Sequence, residues 1–378
     1  MTAVKVNRKA ADRIASGHPW IFSSDVTERG AATPGETVAV IGPGGRNLGT
    51  AHYSSTSQIT LRLVPKLIAE AIANAADYRK NIVRDTDAYR LVHAEADLLP
   101  GLIVDRYADC FVVQFLDQGM DLAQDEVLDT LENLFHPRAI VARNDVPVRK
   151  HENLPLEKKL LRGELPGPVP IRMNGLVWNA DLLEGQKTGV FLDQRENYVA
   201  AAEYARGAAL DCFTCAGGFA LHMAARCESV EAVDSSAPAL AMANANACAN
   251  GISNVSTREA NAFDLLLNYA TARRRFDTIV LDPPAFAKSR TAIDGAIRGY
   301  RDINYRALQL LNPAGILVTC SCSHHVSEAL LLETVAQAAL DAGRKLRVVE
   351  RRTQARDHPI LLTVPETHYL KCLILQVI

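Results

Sequence analysis

The chain has no apolar run of membrane-spanning length. Its longest are strand-sized pieces such as 370–378, too short to cross a bilayer. The opening, MTAVKVNRKAADRIAS, has neither the apolar core nor the small-residue cleavage site of a secretory signal. A cytoplasmic protein with no membrane partner is therefore expected. No sign of charge is in excess, because 41 Lys+Arg stand against 43 Asp+Glu, a formal −2. A nucleic-acid surface would have to be a local patch. The eight cysteines lack a secretory signal and a second Cys or His pair at zinc spacing, so reduced thiols and no metal are expected. Internal repeats and low-complexity tracts are absent. So is a GxGxxG fingerprint, which disfavours a nicotinamide dehydrogenase.

What is present is an ordinary globular composition, 378 residues with 48% hydrophobic and 22% charged, long enough for two or three domains. Near the start, 36–41 and 58–64 alternate apolar and polar residues around the turn sequence GPGGRN at 42–47, a β-rich pattern. Up to residue 66, eight basic residues, Arg8, Lys9 and Arg13 among them, face four acidic ones. That local excess reads either as a solvated surface or as a small barrel that holds phosphates. A middle stretch follows, with helical patterns at 66–87 and 122–134 and strand patterns at 102–105, 110–116 and 139–143. Residues 162–170 hold three prolines and two glycines in nine positions and read as a linker, before a hairpin at 169–174 and 176–182. From about 207, strand patterns at 208–213, 229–234, 254–257, 276–282 and 315–322 alternate with helical ones such as 238–250 and 328–342. Ser236 is placed to cap the first of these helices and Gly251 to stop it. This alternation predicts a doubly wound, mostly parallel sheet, whose ligands bind beyond the carboxyl ends of the strands.

The chemically suggestive motifs fall at those ends. Asp211-Cys-Phe-Thr-Cys-Ala-Gly-Gly-Phe219 closes the first strand, and Gly217-Gly218 permits close backbone approach or a tight turn. Asp234, closing the second, can accept from a ribose diol or cap a helix. Asn261 and Phe263 follow the third, offering an amide and a ring to an adenine. Leu281-Asp-Pro-Pro-Ala-Phe-Ala-Lys288 follows the fourth, its prolines stiffening the loop that aims Asp282. Leu317-Val-Thr-Cys-Ser-Cys-Ser-His-His325 closes the fifth, and its two thiols, Cys320 and Cys322, suggest a nucleophile opposite Asp282.

In order and spacing these motifs resemble a class I S-adenosylmethionine-dependent methyltransferase. More closely, the whole chain resembles the bacterial 23S rRNA large-subunit methyltransferase family that makes 5-methylcytosine. Ser16-Gly-His-Pro-Trp-Ile-Phe22 is similar to the start of that family's PUA domain, and Gln186-Lys-Thr-Gly-Val-Phe-Leu-Asp-Gln-Arg-Glu-Asn197 to its signature. His358-Pro359 and Tyr369-Leu-Lys371 also resemble it. The resemblance implies an α/β, Rossmann-like class I methyltransferase domain (169–378) behind a β-rich N-terminal PUA domain (1–68) and a small α+β middle domain (69–168). It implies S-adenosylmethionine as cofactor, with Asp211, Gly217 and Gly218 at its methionine end and Asp234 on its ribose. Phe191, Gln194, Asn261 and Asp282 would lie close by. Many methyltransferases have Asp where this chain has Asn261, which still offers an acceptor but brings no charge.

Carbon 5 of cytosine is a poor nucleophile. A thiolate adding to carbon 6 makes carbon 5 enamine-like and able to take a methyl group. The resemblance gives the thiolate to Cys322, with Cys320 the other plausible slot, and a contact at N3 to Asp282. Arg8, Lys9, Arg13 and Lys288 are the candidate contacts to rRNA, and a homodimer is left open. Two alternatives stand beside this reading. One is an exocyclic-amine methyltransferase, which needs no cysteine; Ala285 between Pro284 and Phe286 weakens that match. The other is a non-catalytic RNA-binding protein on the same fold.

Overall fold

The computed structural model describes residues 1–185, 190–287 and 289–378. The chain divides into two compact units. One comprises 1–175, 180–192 and 356–367; the other comprises 176–179, 193–355 and 368–378. Among the described residues, no helix is long and apolar enough to cross a membrane.

The first unit holds two sheets. The six-stranded one contains the expected strands Thr37–Ile41 and Ile59–Leu63. Alternation along Thr37–Ile41 buries Val38 and Val40 against Val4, Ile21 and Leu61, as a half-buried strand requires. The helix Arg8–Ala15 begins at Asn7, whose side chain accepts from the Ala10 amide. The second sheet has five strands in the order Lys158–Gly163, Ala139–Arg143, Cys110–Phe115, Leu102–Tyr107, Ala88–His93. Helices Ile68–Ile82 and Gln124–Phe135 lay Ile72, Val127 and Leu131 on it. A buried polar cluster joins elements of the two sheets. Arg62 donates to Glu152 at 2.8 Å, Ser54 donates to Glu152 at 2.6 Å, and His52 lies 3.4 Å from Asp117.

The stretch read as a linker is shorter than expected. Its first two residues belong to Lys158–Gly163, paired with Ala139–Arg143, and its last two to Val169–Met173. Backbone pairing overrides the local glycine and proline signal there. Gly163 sits at φ +70°, where a Cβ would run into the Arg138 carbonyl.

The second unit is built on a seven-stranded sheet. Counted along the chain within this sheet, the strands lie in the order 3-2-1-4-5-7-6. The first five, Gly207–Cys212, Cys227–Asp234, Val255–Glu259, Phe276–Leu281 and Leu311–Ser321, are parallel. Lys371–Val377 then inserts antiparallel between Leu311–Ser321 and Leu346–Arg352. A parallel sheet buried on both faces needs near-continuous apolar strands, and Phe276–Leu281 and Leu311–Ser321 supply them. Ser236 caps the helix Ala237–Ala249 as expected. The helix Ile293–Leu310, which sequence pattern did not single out, buries Tyr300, Ile303 and Leu308 in the core.

Candidate active site

Every motif read from the sequence of the second unit emerges at the carboxyl edge of its sheet. After Gly207–Cys212 the backbone makes a contorted loop, with Phe213 at φ 65°, Cys215 at φ 51° and Gly217 at φ 92°. Non-glycine residues in the left-handed region are costly and mark sites held by their surroundings. The loop is held through carboxylates. Asp211, fully buried, accepts from the Thr214 hydroxyl at 2.6 Å and the Ala220 amide at 3.0 Å through one oxygen. Asp234 accepts the Cys215 amide at 2.9 Å on one oxygen and the Ser236 amide at 2.9 Å on the other.

The pair of glycines serves two different needs. Gly217 takes a left-handed φ at the start of the helix Gly218–Met223. At Gly218, a Cβ would lie 2.4 Å from Cζ of Tyr198. The Tyr198 ring is wedged there edge-on to Phe219, at 4.8 Å, and beside His222, at 5.2 Å. Tyr198 follows directly on the signature segment, yet no periodicity marked it.

The other Asp211 oxygen is a buried acceptor with no hydrogen-bond partner among the described residues. Burial, with Asp282 and Asp234 adding repulsion, pushes the Asp211 carboxyl up to about 7. Burial also raises the Tyr198 phenol well above its ordinary value, and the fields of Asp282, Asp193 and Asp211 add to it. Carboxylates from several loops thus converge on one spot and repel one another, an arrangement that a bound cation relieves. S-adenosylmethionine carries an ammonium and a sulfonium, so the residues present fit it.

The fourth and fifth strand exits are tied together. The Ser321 hydroxyl donates to the Tyr300 phenol at 2.9 Å, and Tyr300 is 3.1 Å from the Ser323 hydroxyl. That hydroxyl in turn accepts the Ala287 amide at 3.2 Å. The Asp282–Ala287 loop and the loop of Cys322 are therefore fastened to each other through one buried network, where an unmade bond would be expensive. Cys322 lies half-buried just beyond its strand. Cys320 lies inside the strand, fully buried opposite Cys372, and burial raises its thiol well above the usual range. A cleft of about 580 Å³ opens beside these loops, lined by Phe263, Phe286, Gly295, Arg298 and Gly299 among others.

The remaining sequence candidates are placed as follows. Asn261 is the exposed N-cap of Ala262–Thr271, its side-chain oxygen accepting from the Phe263 and Asp264 amides. Gln194 is buried and accepts from Asn197 at 2.7 Å. Phe191 belongs to the first unit. Lys288, and Gln186 to Gly189 of the signature, lie outside the described residues. In the first unit, Arg8 and Lys9 are exposed. Arg13 is instead anchored on buried Asp25 at 2.7 Å, over the Phe22 ring. Arg8 shares a groove of about 400 Å³ with Arg46 and Asn47, partners the sequence pattern did not link.

Two family models match the chain, a PUA-like domain over residues 4–66 and an S-adenosylmethionine-dependent methyltransferase over residues 102–375. The second is the class that the strand order and strand-exit loops define, and S-adenosylmethionine is its cofactor. A methyltransferase solved with SAH has the same fold, with a TM-score of 0.86 at 20% identity and all of both chains covered. An S-adenosylmethionine-dependent methyltransferase from Streptococcus mutans gives 0.84, also at 20% identity and full coverage. Among similar sequences is ribosomal RNA large subunit methyltransferase I of Shewanella denitrificans, 43% identical with 95% of each chain covered. The Tolumonas auensis protein of the same name is 38% identical with 100% of both covered. The chain belongs to the ribosomal RNA large subunit methyltransferase I family.

Proposed function

We propose that this methyltransferase forms 5-methylcytosine in 23S ribosomal RNA through a covalent adduct to Cys322. The observation that carries the reading is the half-buried Cys322, whose neighbour Ser323 is bonded both to Tyr300 and to Ala287 on the loop that bears Asp282. A purely structural thiol would sit as Cys320 does, inside its strand and fully buried. The family name supplies the class of RNA.

The cofactor supplies a methyl group on a sulfonium. Asp211 and the loop through Gly217 and Gly218 hold its methionine end, and Asp234 receives its ribose hydroxyls. Asn261 and Gln194 flank it, and Phe191 is assigned to it by the signature alone. The target base leaves its stack to enter the site, which suits a single-stranded or splayed segment. The Cys322 thiolate adds to carbon 6 of cytosine while Asp282 contacts the ring at N3. Carbon 5 then accepts the methyl group, a base takes the carbon 5 proton, and the C–H pair re-forms the 5,6 double bond as the thiolate departs. The PUA-like region, 1–68 in this reading, presents Arg8 and Lys9 to RNA phosphates, with residues 69–168 as a small α+β middle domain within the same compact unit. The catalytic domain spans 169–378, and Lys288 is a further RNA contact.

Mass spectrometry of large-subunit rRNA from cells with and without the protein tests the reading. Loss of one 5-methylcytosine is expected. Loss of a methylated purine or exocyclic amine, with every 5-methylcytosine retained, would sink it. The cofactor assignment has its own test. Asp234→Ala removes a charged acceptor, which is worth on the order of 1.5–3 kcal/mol, so calorimetry should show at least tenfold weaker S-adenosylmethionine binding. Unchanged affinity would remove Asp234 from the site.

A further inference from the structure

Lys371 is a cation buried where no ion pair accounts for it. The residue is 3% exposed. It lies on Lys371–Val377 in register opposite Ser321, one position before Cys322. Its ammonium donates to two backbone carbonyls, Ser323 at 2.7 Å and Tyr369 at 2.8 Å. Among the described residues no carboxylate lies within ion-pairing distance of it. Burying an ammonium without an anion is unfavourable and shifts its titration instead. Burial brings Lys371 down to about 8, and the field of Cys322 opposes that fall.

We propose that Lys371 is the positioning cation that holds Cys322 as a thiolate, ready to add to the base. The inference rests on Cys322 being the nucleophile. Nζ reaches along the loop to the carbonyl of the residue after Cys322, so one side chain both fixes the loop and sets its electrostatics. The thiol proton leaves to water, the S–C6 bond forms from the thiolate pair, and the ammonium remains protonated throughout.

Among the described residues, the groups packed on the Ser321–Ser323 segment from neighbouring elements are these. Tyr300, on the helix side, is a phenol raised by burial. Cys320 and Cys372 are buried thiols on the two strands. Tyr369 donates to Asp193 at 2.8 Å and lies tilted beside His324, with ring centroids 5.6 Å apart. Asp282, at the neighbouring strand exit, repels a thiolate, which makes a compensating cation more necessary.

The test is the pH profile of iodoacetamide alkylation at Cys322 in the full-length protein, read by peptide mass spectrometry. In the unsubstituted protein the midpoint should lie below that of a free thiol, about 8.5. Lys371→Gln keeps an amide donor for the Ser323 carbonyl but no charge. It should raise the midpoint by about one unit or more, roughly a tenfold slower reaction at pH 7. Lys371→Arg, which keeps the charge, should hold the low midpoint. An unchanged profile in Lys371→Gln would overturn the proposal. So would a midpoint at or above the free-thiol value in the unsubstituted protein, a result that needs no variant to fold. If the Lys371 variants shift the thiol as expected but Cys322→Ala still methylates, the electrostatic pairing stands and the nucleophile assignment falls.

Discussion

Cys322→Ala should abolish methylation while leaving S-adenosylmethionine binding intact, the largest single effect expected of any substitution here. In the proposed mechanism the thiol acts on the base and not on the cofactor, so calorimetry with the cofactor should not register its removal. With substrate RNA carrying 5-fluorocytidine, the enzyme and cofactor should form a covalent protein–RNA adduct that survives denaturing electrophoresis. Fluorine at carbon 5 cannot leave as a proton, so elimination stalls with sulfur still bonded to carbon 6. The adduct should vanish in Cys322→Ala and persist in Cys320→Ala, because Cys320 is wholly inside its strand with its thiol held neutral by burial. Loss of the adduct in Cys320→Ala alone would reverse the two assignments. Methylation surviving in both variants would rule out covalent catalysis.

Cofactor affinity should rise about tenfold between pH 6 and pH 8. The Asp211 carboxyl is raised to about 7, chiefly by burial, so at pH 6 it is mostly protonated and at pH 8 mostly ionised. The ammonium of the cofactor's methionine end favours the ionised form, so binding near pH 6.5 should release a proton. Calorimetry in two buffers of different ionisation enthalpy measures that proton directly. The sign for the cofactor-free protein is the opposite. A carboxyl whose folded value exceeds its unfolded one holds its proton longer in the native state. Its stabilising contribution is therefore present below about 4 and lost as pH rises through about 7. Asp211→Asn should bind weakly at both pH values and lose less stability than the unsubstituted protein between pH 5 and pH 8. Affinity that is flat from pH 6 to 8, with no proton released, would contradict the assignment of Asp211 to the cofactor ammonium.

Much of the second unit was legible because parallel strands and their helices leave local signals. β-branched runs, the Ser236 cap and the Gly217-Gly218 and Asp-Pro-Pro turns each report on their own few residues. Those signals located the strand exits, and with them Asp211, Asp234, Asp282 and the two thiols. They were weaker for element ends. The fifth strand begins at Leu311 rather than 315 because pairing with Phe276 extends it. Asn261 is an N-cap whose oxygen is already engaged by its own helix, a role that Asn-Ala-Phe alone did not reveal.

The sequence by itself determined the class of fold, the order of the site loops and the chemistry available to them, since each depends on residues adjacent in the chain. Which thiol is left partly exposed was decided by the tertiary structure. Cys320 and Cys322 are two positions apart, and strand alternation alone assigns them to the same face. What separates them is that Lys371–Val377 covers the first and the strand ends before the second. The same holds for Tyr198 against Gly218, Tyr300 between Ser321 and Ser323, and Lys371 beside Cys322. Each comes from another part of the chain, and only packing brings it to the loop it touches, Lys371 through the Ser323 carbonyl.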